Sequence, residues 1–199
     1  MAIEFNKPTE YAGTIPAFWR GECKVVPGDF NLTQVFAAKT LIPRGTFVEV
    51  NFKEHTVSVC KVAEVVAGGT TTKPRVVKGT LFQKGDNIFK EGESTGVTVS
   101  SIDRTNSAYD VITLSAAITG LTAGDKLLEP NAISGENIAE KYSAEFVVSS
   151  NKVLEGTEGE VLNVGYDTVV LESHVYPVPD SWKQGRCLKN NPNIIFIEQ

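Results

Sequence analysis

Apolar and polar residues alternate over short runs along most of this chain, which is the pattern of half-buried β-strands. The clearest run is residues 48–53 (VEVNFK), where three apolar residues alternate with three polar ones. A second run begins at Thr56 after a gap of Lys53, Glu54 and His55, and this spacing predicts a β-hairpin. The pattern therefore predicts a mainly β protein.

Past Pro74 the predicted strands become shorter and are separated by glycine-containing turns. Two of these turns carry the pair Gly-Asp, at Gly85-Asp86 and Gly124-Asp125. The two aspartates could be imagined as calcium ligands, but neither has the closely spaced oxygen ligands of a calcium-binding loop. We interpret both pairs as turn-forming residues.

Helix is expected only in short pieces. Residues 31–36 could form one helical turn or a strand, residues 134–142 could hold a short helix, and residues 180–185 fit one capped helical turn. The fold class that we predict is a compact β-barrel or β-sandwich-like body with short strands, an extended N-terminal arm and at most one or two short helices. We divide the chain into an arm (1–28), a β-rich central domain (29–130) and a C-terminal β region (131–199) that could pack into the same domain.

Composition supports strand as the majority state and narrows the range of partners. The chain has 24 Val, 18 Thr and 12 Ile against 11 Leu, and β-branched residues favour strands. Its formal charge is −5, with acidic and basic residues interspersed, so we expect no direct nucleic-acid partner. We also expect no membrane partner, because no run of 18 apolar residues is present and the first residues do not have the pattern of a secretion signal.

Residues that could carry chemistry are few and scattered. The two histidines, His55 and His174, lie in no recognisable catalytic motif. The three cysteines, Cys23, Cys60 and Cys187, lie far apart, as expected of isolated small apolar residues in a reducing compartment. We therefore expect no enzymatic activity, no cofactor and no metal.

The N-terminal arm is the one segment where a functional interpretation competes with a purely structural one. Its proline residues interrupt regular structure, yet it carries several large aromatic side chains. Aromatic and arginine side chains are enriched at protein interfaces. The arm could equally pack on its own domain, and both alternatives stay open. The candidate partner-contact residues are Phe5, Tyr11, Phe18, Trp19 and Arg20.

Several short sequence segments of the chain resemble those of a family of tailed-phage head proteins, the head fibre or capsid decoration proteins. The segments lie at Lys78-Gly79, Gly85-Asp86, Ile102-Asp103, residues 109–112, Gly124-Asp125, residues 168–179 and residues 195–197. The resemblance implies a β-rich protein that binds the outside of an icosahedral head, often as a trimer. Since the chain has no heptad run, it would be the head-bound base of a fibre or a compact decoration protein.

The hypothesis from the sequence is a non-enzymatic virion protein. It would be synthesised in the host cytoplasm, would bind the major capsid protein as a homotrimer, and would stabilise or decorate the head. The alternative is a carbohydrate-binding or adhesin-like β module, for which Trp182 close to Tyr176 is the hint.

Overall fold

The computed structural model describes residues 16–134 and 138–198, and these residues are mainly β, as predicted. Two short 3-10 turns cover Glu172–His174 and Asp180–Trp182. The strands are β1 (Phe18–Val25), β2 (Phe30–Leu32), β3 (Leu41–Ile42), β4 (Phe47–Asn51), β5 (Thr56–Val59), β6 (Val62–Val66), β7 (Arg75–Val77), β8 (Asn87–Lys90), β9 (Gly96–Asp103), β10 (Tyr109–Leu114), β11 (Lys126–Leu128), β12 (Phe146–Val148), β13 (Lys152–Val153), β14 (Val161–Leu162), β15 (Val164–Leu171), β16 (Lys183–Gln184), β17 (Cys187–Leu188) and β18 (Asn191–Ile197).

Strands β6 to β11 close into a six-stranded antiparallel barrel in the order β10-β7-β6-β11-β8-β9. Closure leaves the barrel without exposed strand edges. Its interior is filled by apolar side chains that are fully buried, among them Val76, Phe82, Ile88, Ile112 and Leu127. The barrel is thus a packed core with no channel through it.

The strand pairing of the barrel has twofold symmetry. Exchanging β6, β7 and β8 for β9, β10 and β11 leaves the set of paired strands unchanged. Backbone hydrogen bonds repeat in the same way. Val99 accepts the Gly85 N–H and donates its own N–H to the Asp86 carbonyl oxygen, both at 2.8 Å. Val65 accepts the Gly124 N–H at 2.8 Å and donates its own N–H to the Asp125 carbonyl oxygen at 2.9 Å. The barrel therefore consists of two equivalent three-stranded halves.

Both Gly-Asp pairs are turns, as interpreted from the sequence. Each glycine has a φ of +93°, a conformation that favours glycine. The carboxylate of Asp86 accepts the Gln83 N–H at 2.7 Å, and that of Asp125 accepts the Thr122 N–H at 2.6 Å. Each aspartate therefore closes its own turn.

The remaining strands form one large sheet in the order β14-β2-β5-β4-β12-β15-β18-β17-β16, with β1 also paired to β15, while β3 and β13 form a separate pair. The strands of the large sheet come from the chain segments before and after the barrel. Strand pairing therefore groups the chain differently from the division at residue 130, because residues 30–59 belong with residues 146–197 and the barrel lies between them.

One apolar cluster contains residues of both the barrel and the sheet and joins the two. The ring of Phe47 on β4 lies 5.4 Å from the Trp182 ring and 5.8 Å from the Phe196 ring, measured between centroids. The same cluster contains Val62 and Leu128 at the two ends of the barrel segment. A second cluster covers the opposite side of β4. Phe47 and Val48 are consequently both buried, although strict alternation would bury only one of two neighbouring residues.

Several predicted boundaries differ from the observed ones. The strand expected over residues 168–176 ends at Leu171, where its partner β18 also ends, at Ile197. Within the ambiguous segment 31–36, residues 31 and 32 belong to strand β2, and residues 138–142 contain no helix. Asp180 lies inside its 3-10 turn, whose preceding residue, Pro179, makes no side-chain cap.

A close approach between β1 and β15 gives the first testable prediction. A Cβ atom added at Gly165 would lie 2.1 Å from the Cys23 Sγ. We expect Gly165→Ala to lower the free energy of unfolding by about 1–3 kcal/mol, because the thiol must be displaced. Urea denaturation of Gly165→Ala, of Cys23→Ala and of the double variant measures the coupling. If Cys23→Ala does not recover most of the loss, the steric explanation is wrong.

Candidate interaction surface

The five residues proposed as partner contacts differ in their exposure to solvent. Phe5 and Tyr11 lie outside the described residues. Phe18 is fully buried in the core of the chain itself. Trp19 is 43% exposed, and Arg20 beside it is exposed as well. Of the described candidates, Trp19 and Arg20 are therefore available to a partner and Phe18 is not.

Trp19 and Arg20 lie on a wide bulge of β1. Phe18 is paired with Val170, but the next pair joins Cys23 to Thr168, so five steps along β1 correspond to two along β15. Arg20 has a φ of +56°, a left-handed conformation that is uncommon for a residue with a Cβ atom. Such conformations persist only where the surroundings impose them, and they cluster at functional positions.

Two side chains from other elements hold this bulge in place. The Arg44 guanidinium donates to the Gly21 carbonyl oxygen and lies 4.6 Å from the centre of the Phe18 ring. The Thr168 hydroxyl donates to the Glu22 carbonyl oxygen at 2.7 Å. The bulge, residues 19–22, thus presents Trp19 and Arg20 on a backbone that is anchored from the β3–β4 turn and from β15.

The aromatic residues named for the carbohydrate alternative are engaged internally. Trp182 is 5% exposed, and its indole N–H donates to the Glu140 carboxylate. The Tyr176 hydroxyl accepts the Leu81 N–H, and burial raises the pKa of Tyr176. Trp182 is therefore buried, and Tyr176 is half-buried with its hydroxyl group bonded to the backbone.

An exposed aromatic ring that the sequence analysis missed is Phe52, just after β4. Its side chain is 57% exposed, and its ring packs edge-on against Phe30 at 5.7 Å and against Phe146 at 5.6 Å. The His55 ring also packs against the Phe30 ring, with 4.6 Å between the ring centroids. Strict alternation puts Phe52 on the same face as Val48 and Val50, which are buried, and so predicts a buried ring. The structure shows an exposed one.

The histidines and cysteines lie apart from one another. His55 is at the hairpin tip, and His174 Nδ1 lies 3.2 Å from the Pro16 carbonyl oxygen. All three cysteines are free thiols, and burial raises the pKa of Cys23 and of Cys60. Within residues 16–134 and 138–198, no group of three or more His, Cys, Asp or Glu side chains could hold a metal ion.

An open groove of about 440 Å³ brings three carboxylates together beside the barrel, those of Glu49, Glu91 and Glu140. Each accepts a structural hydrogen bond: Glu49 from Ser143 N–H at 2.6 Å, Glu91 from Ser181 N–H at 2.8 Å, and Glu140 from the Ser181 hydroxyl at 3.1 Å. Burial raises the pKa of Glu140. The hydrogen bonds of these carboxylates go to the loops that form the groove.

No family model, no curated protein and no solved structure matches this chain. In the part of the chain that the structure describes, no helix is long and apolar enough to cross a membrane.

Proposed function

We propose that this protein is a non-enzymatic virion component that binds the outer surface of a phage head. Its partner is the major capsid protein, and its assembly state is a homotrimer. The observation that carries the proposal is the anchored bulge with Trp19 and Arg20 at its surface. The resemblance to head fibre and decoration proteins gives the partner class.

The bulge has the chemistry of a protein-binding hot spot. Tryptophan and arginine are the side chains most enriched among residues whose truncation costs more than 2 kcal/mol of binding free energy. Because Arg44 and Thr168 already hold the backbone, binding loses less conformational entropy than it would for a flexible loop. Arg20 also supplies a charge that a capsid carboxylate can pair with.

Head stabilisation follows from linkage. A ligand that binds the assembled shell and not its separated subunits stabilises the shell by mass action. A trimer that contacts several capsid subunits at once gains further affinity through its effective concentration, with no new contact needed.

The test uses purified heads that lack this protein and full-length variants added back. We expect the double variant Trp19→Ala, Arg20→Ala to lose at least about tenfold in affinity, since a hot-spot pair is worth about 2 kcal/mol or more. The measurement is co-sedimentation with heads over a range of protein concentrations. Deletion of residues 1–20 is a poorer test, because it also removes Phe18 from the core.

The matched control is Phe52→Ala, which removes an exposed aromatic ring elsewhere on the chain. This variant should bind heads like the unchanged protein. If the bulge double variant also binds normally while remaining folded, the bulge is not the contact surface.

The carbohydrate-binding alternative keeps one specific observation, the exposed Phe52 ring supported by Phe30 and Phe146. An aromatic face of this kind can stack against a sugar ring. A glycan array probed with the unchanged protein and with Phe52→Ala distinguishes the two functions, because only the adhesin interpretation expects binding that depends on Phe52.

A further inference from the structure

We propose that Lys61 and Asp86 become joined by an amide bond between their side chains, in a reaction assisted by Glu129. The inference rests on the geometry of these three groups and is independent of the proposed function. It assigns a covalent modification to the place where the barrel joins the sheet.

The three residues come from different parts of the barrel boundary. Lys61 lies in the short connection between β5 and β6, where the chain passes from the sheet into the barrel. Asp86 closes the turn before β8, and Glu129 follows β11, where the chain leaves the barrel. The fold therefore brings together a nucleophile, an electrophile and a proton carrier that are remote in sequence.

The side-chain amine of Lys61 lies next to both carboxylates. Lys61 Nζ lies 2.7 Å from Asp86 Oδ2 and 3.7 Å from Glu129 Oε2. The side chains of Lys61, Asp86 and Glu129 are only 4%, 17% and 7% exposed. The Phe36 ring lies 5.4 Å from the same Nζ atom, so the amine is enclosed by an aromatic face as well as by the carboxylates. The amine is thus held within hydrogen-bond distance of the carboxyl group whose Cγ atom it attacks, and groups held together in a water-poor site have a large advantage over the same groups in solution.

Burial also favours the product. A buried ammonium and a buried carboxylate each lose hydration, and their attraction does not always repay that loss. Condensation replaces both charges by one neutral amide and releases water to the solvent. Removing the two charges therefore stabilises this buried site, whereas the charges of an ion pair on the surface stay hydrated and gain nothing from the reaction.

The atoms balance as a condensation. The Lys61 ammonium passes one proton to Asp86, which gives a neutral amine and a carboxylic acid. The amine nitrogen then attacks Asp86 Cγ, and a nitrogen–carbon bond forms. Glu129 takes a second proton from the nitrogen and delivers it to the departing hydroxyl group, the carbon–oxygen bond breaks, and one water molecule leaves. Glu129 ends in its starting state, and no oxidant, reductant or further reactant is consumed.

Neighbouring groups suit each role. The Gln83 N–H donates to Asp86 Oδ2 at 2.7 Å, which holds the carboxyl group in place beside Lys61 Nζ. Glu129 Oε1 accepts Lys141 Nζ at 2.7 Å, which fixes the carboxylate. Glu129 Oε2 is buried and makes no hydrogen bond within the described residues, so it is free to carry a proton.

A small cavity completes the site. Its volume is about 10 Å³, and Lys61 and Glu129 both line it. This is close to the smallest space that holds one water molecule. The cavity gives the water that leaves Asp86 a space beside Lys61 and Glu129 on its way to the solvent.

The symmetry-related turn provides an internal comparison. There Lys90 Nζ lies 2.9 Å from Asp125 Oδ2, and both side chains are 19% exposed. Among the described residues Lys90 forms no ion pair with a second carboxylate, and its Nζ also donates to the Gly120 carbonyl oxygen. The two aspartates close equivalent turns, but only Asp86 has an acid–base partner, so we expect no bond at Lys90.

The test is the intact mass of the purified full-length protein. We expect a mass lower than that of the sequence by one water molecule. After digestion, tandem mass spectrometry should find the Lys61 peptide joined to the Asp86 peptide, and no such link between Lys90 and Asp125. An intact mass equal to that of the sequence overturns the proposal, and so does a water loss that maps to any other site.

Variants separate the roles of the three groups. Lys61→Arg and Glu129→Gln should each restore the full mass, whereas Asp86→Asn should keep the link and lose ammonia instead of water. Lys90→Met changes the lysine of the symmetry-related turn, leaves all three reacting groups and their contacts in place, and should keep the link. A link that survives in Glu129→Gln to the same extent removes Glu129 from the reaction.

Discussion

Replacing Asp110 by alanine should lower the free energy of unfolding by about 3 kcal/mol, one of the two largest effects that we expect from a single substitution. Asp110 lies on β10 and is fully buried. Its carboxylate accepts Lys78 Nζ at 2.7 Å, the Gly79 N–H at 2.9 Å and the Thr80 N–H at 3.0 Å. Alanine removes all three acceptor contacts at once, and the Thr80 N–H stays buried. Urea denaturation followed by circular dichroism measures the loss.

Two variants serve as controls for Asp110→Ala. Asp110→Asn keeps one side-chain oxygen and should lose less than half as much. Asp103→Ala removes an exposed aspartate that accepts only the Thr105 N–H and hydroxyl, and should cost about 1 kcal/mol or less. If Asp110→Ala unfolds at the same urea concentration as the unchanged protein, the carboxylate does not hold the loop after β7.

Phe47→Ala should cost about 3–5 kcal/mol, the range for truncating a buried phenylalanine. Phe47 is 1% exposed and touches both Trp182 and Phe196 in the core shared by the sheet and the barrel. Because the core is shared, loss of this ring should destabilise both parts together. Tryptophan fluorescence and circular dichroism should therefore report one transition at a lower urea concentration.

Phe52→Ala is the matched control for Phe47→Ala, since the two rings lie five positions apart and differ in burial. The Phe52 ring is mostly exposed and keeps only its edge contacts with Phe30 and Phe146, which are worth about 1 kcal/mol. Equal losses for the two variants would contradict the assignment of Phe47 to the central core.

The sequence was sufficient for the strands and turns that depend on local chemistry. Alternation and β-branched residues predict the β4–β5 hairpin, and the structure pairs these strands as expected. The two Gly-Asp turns are also predictable, because the left-handed glycine and the carboxylate that closes the turn are neighbours in sequence. These features involve residues a few positions apart.

Features that depend on pairing between remote strands were beyond the sequence. Phe18 and Trp19 are neighbours, so strand alternation puts one inside and the other outside, but which of the two is buried depends on the pairing of Phe18 with Val170 on a remote strand. The same limitation applies to Trp182, whose burial depends on Phe47 from the opposite part of the chain. The partner assignments of Trp19 and Arg20, the virion location and the lack of enzymatic activity stay predictions.

The place of the barrel in the chain has a consequence for how the molecule folds. Residues 62–128 complete the barrel without help from the rest, whereas β4 must find β12 across that whole segment. Closing so long a loop in an unstructured chain is slow, because its entropy is lost before any contact compensates for it. A barrel that has already formed holds its two ends side by side, because Val62 on β6 is paired with Leu128 on β11, and so shortens the search. We therefore expect the inserted barrel to form first and the strands of the large sheet to pair afterwards.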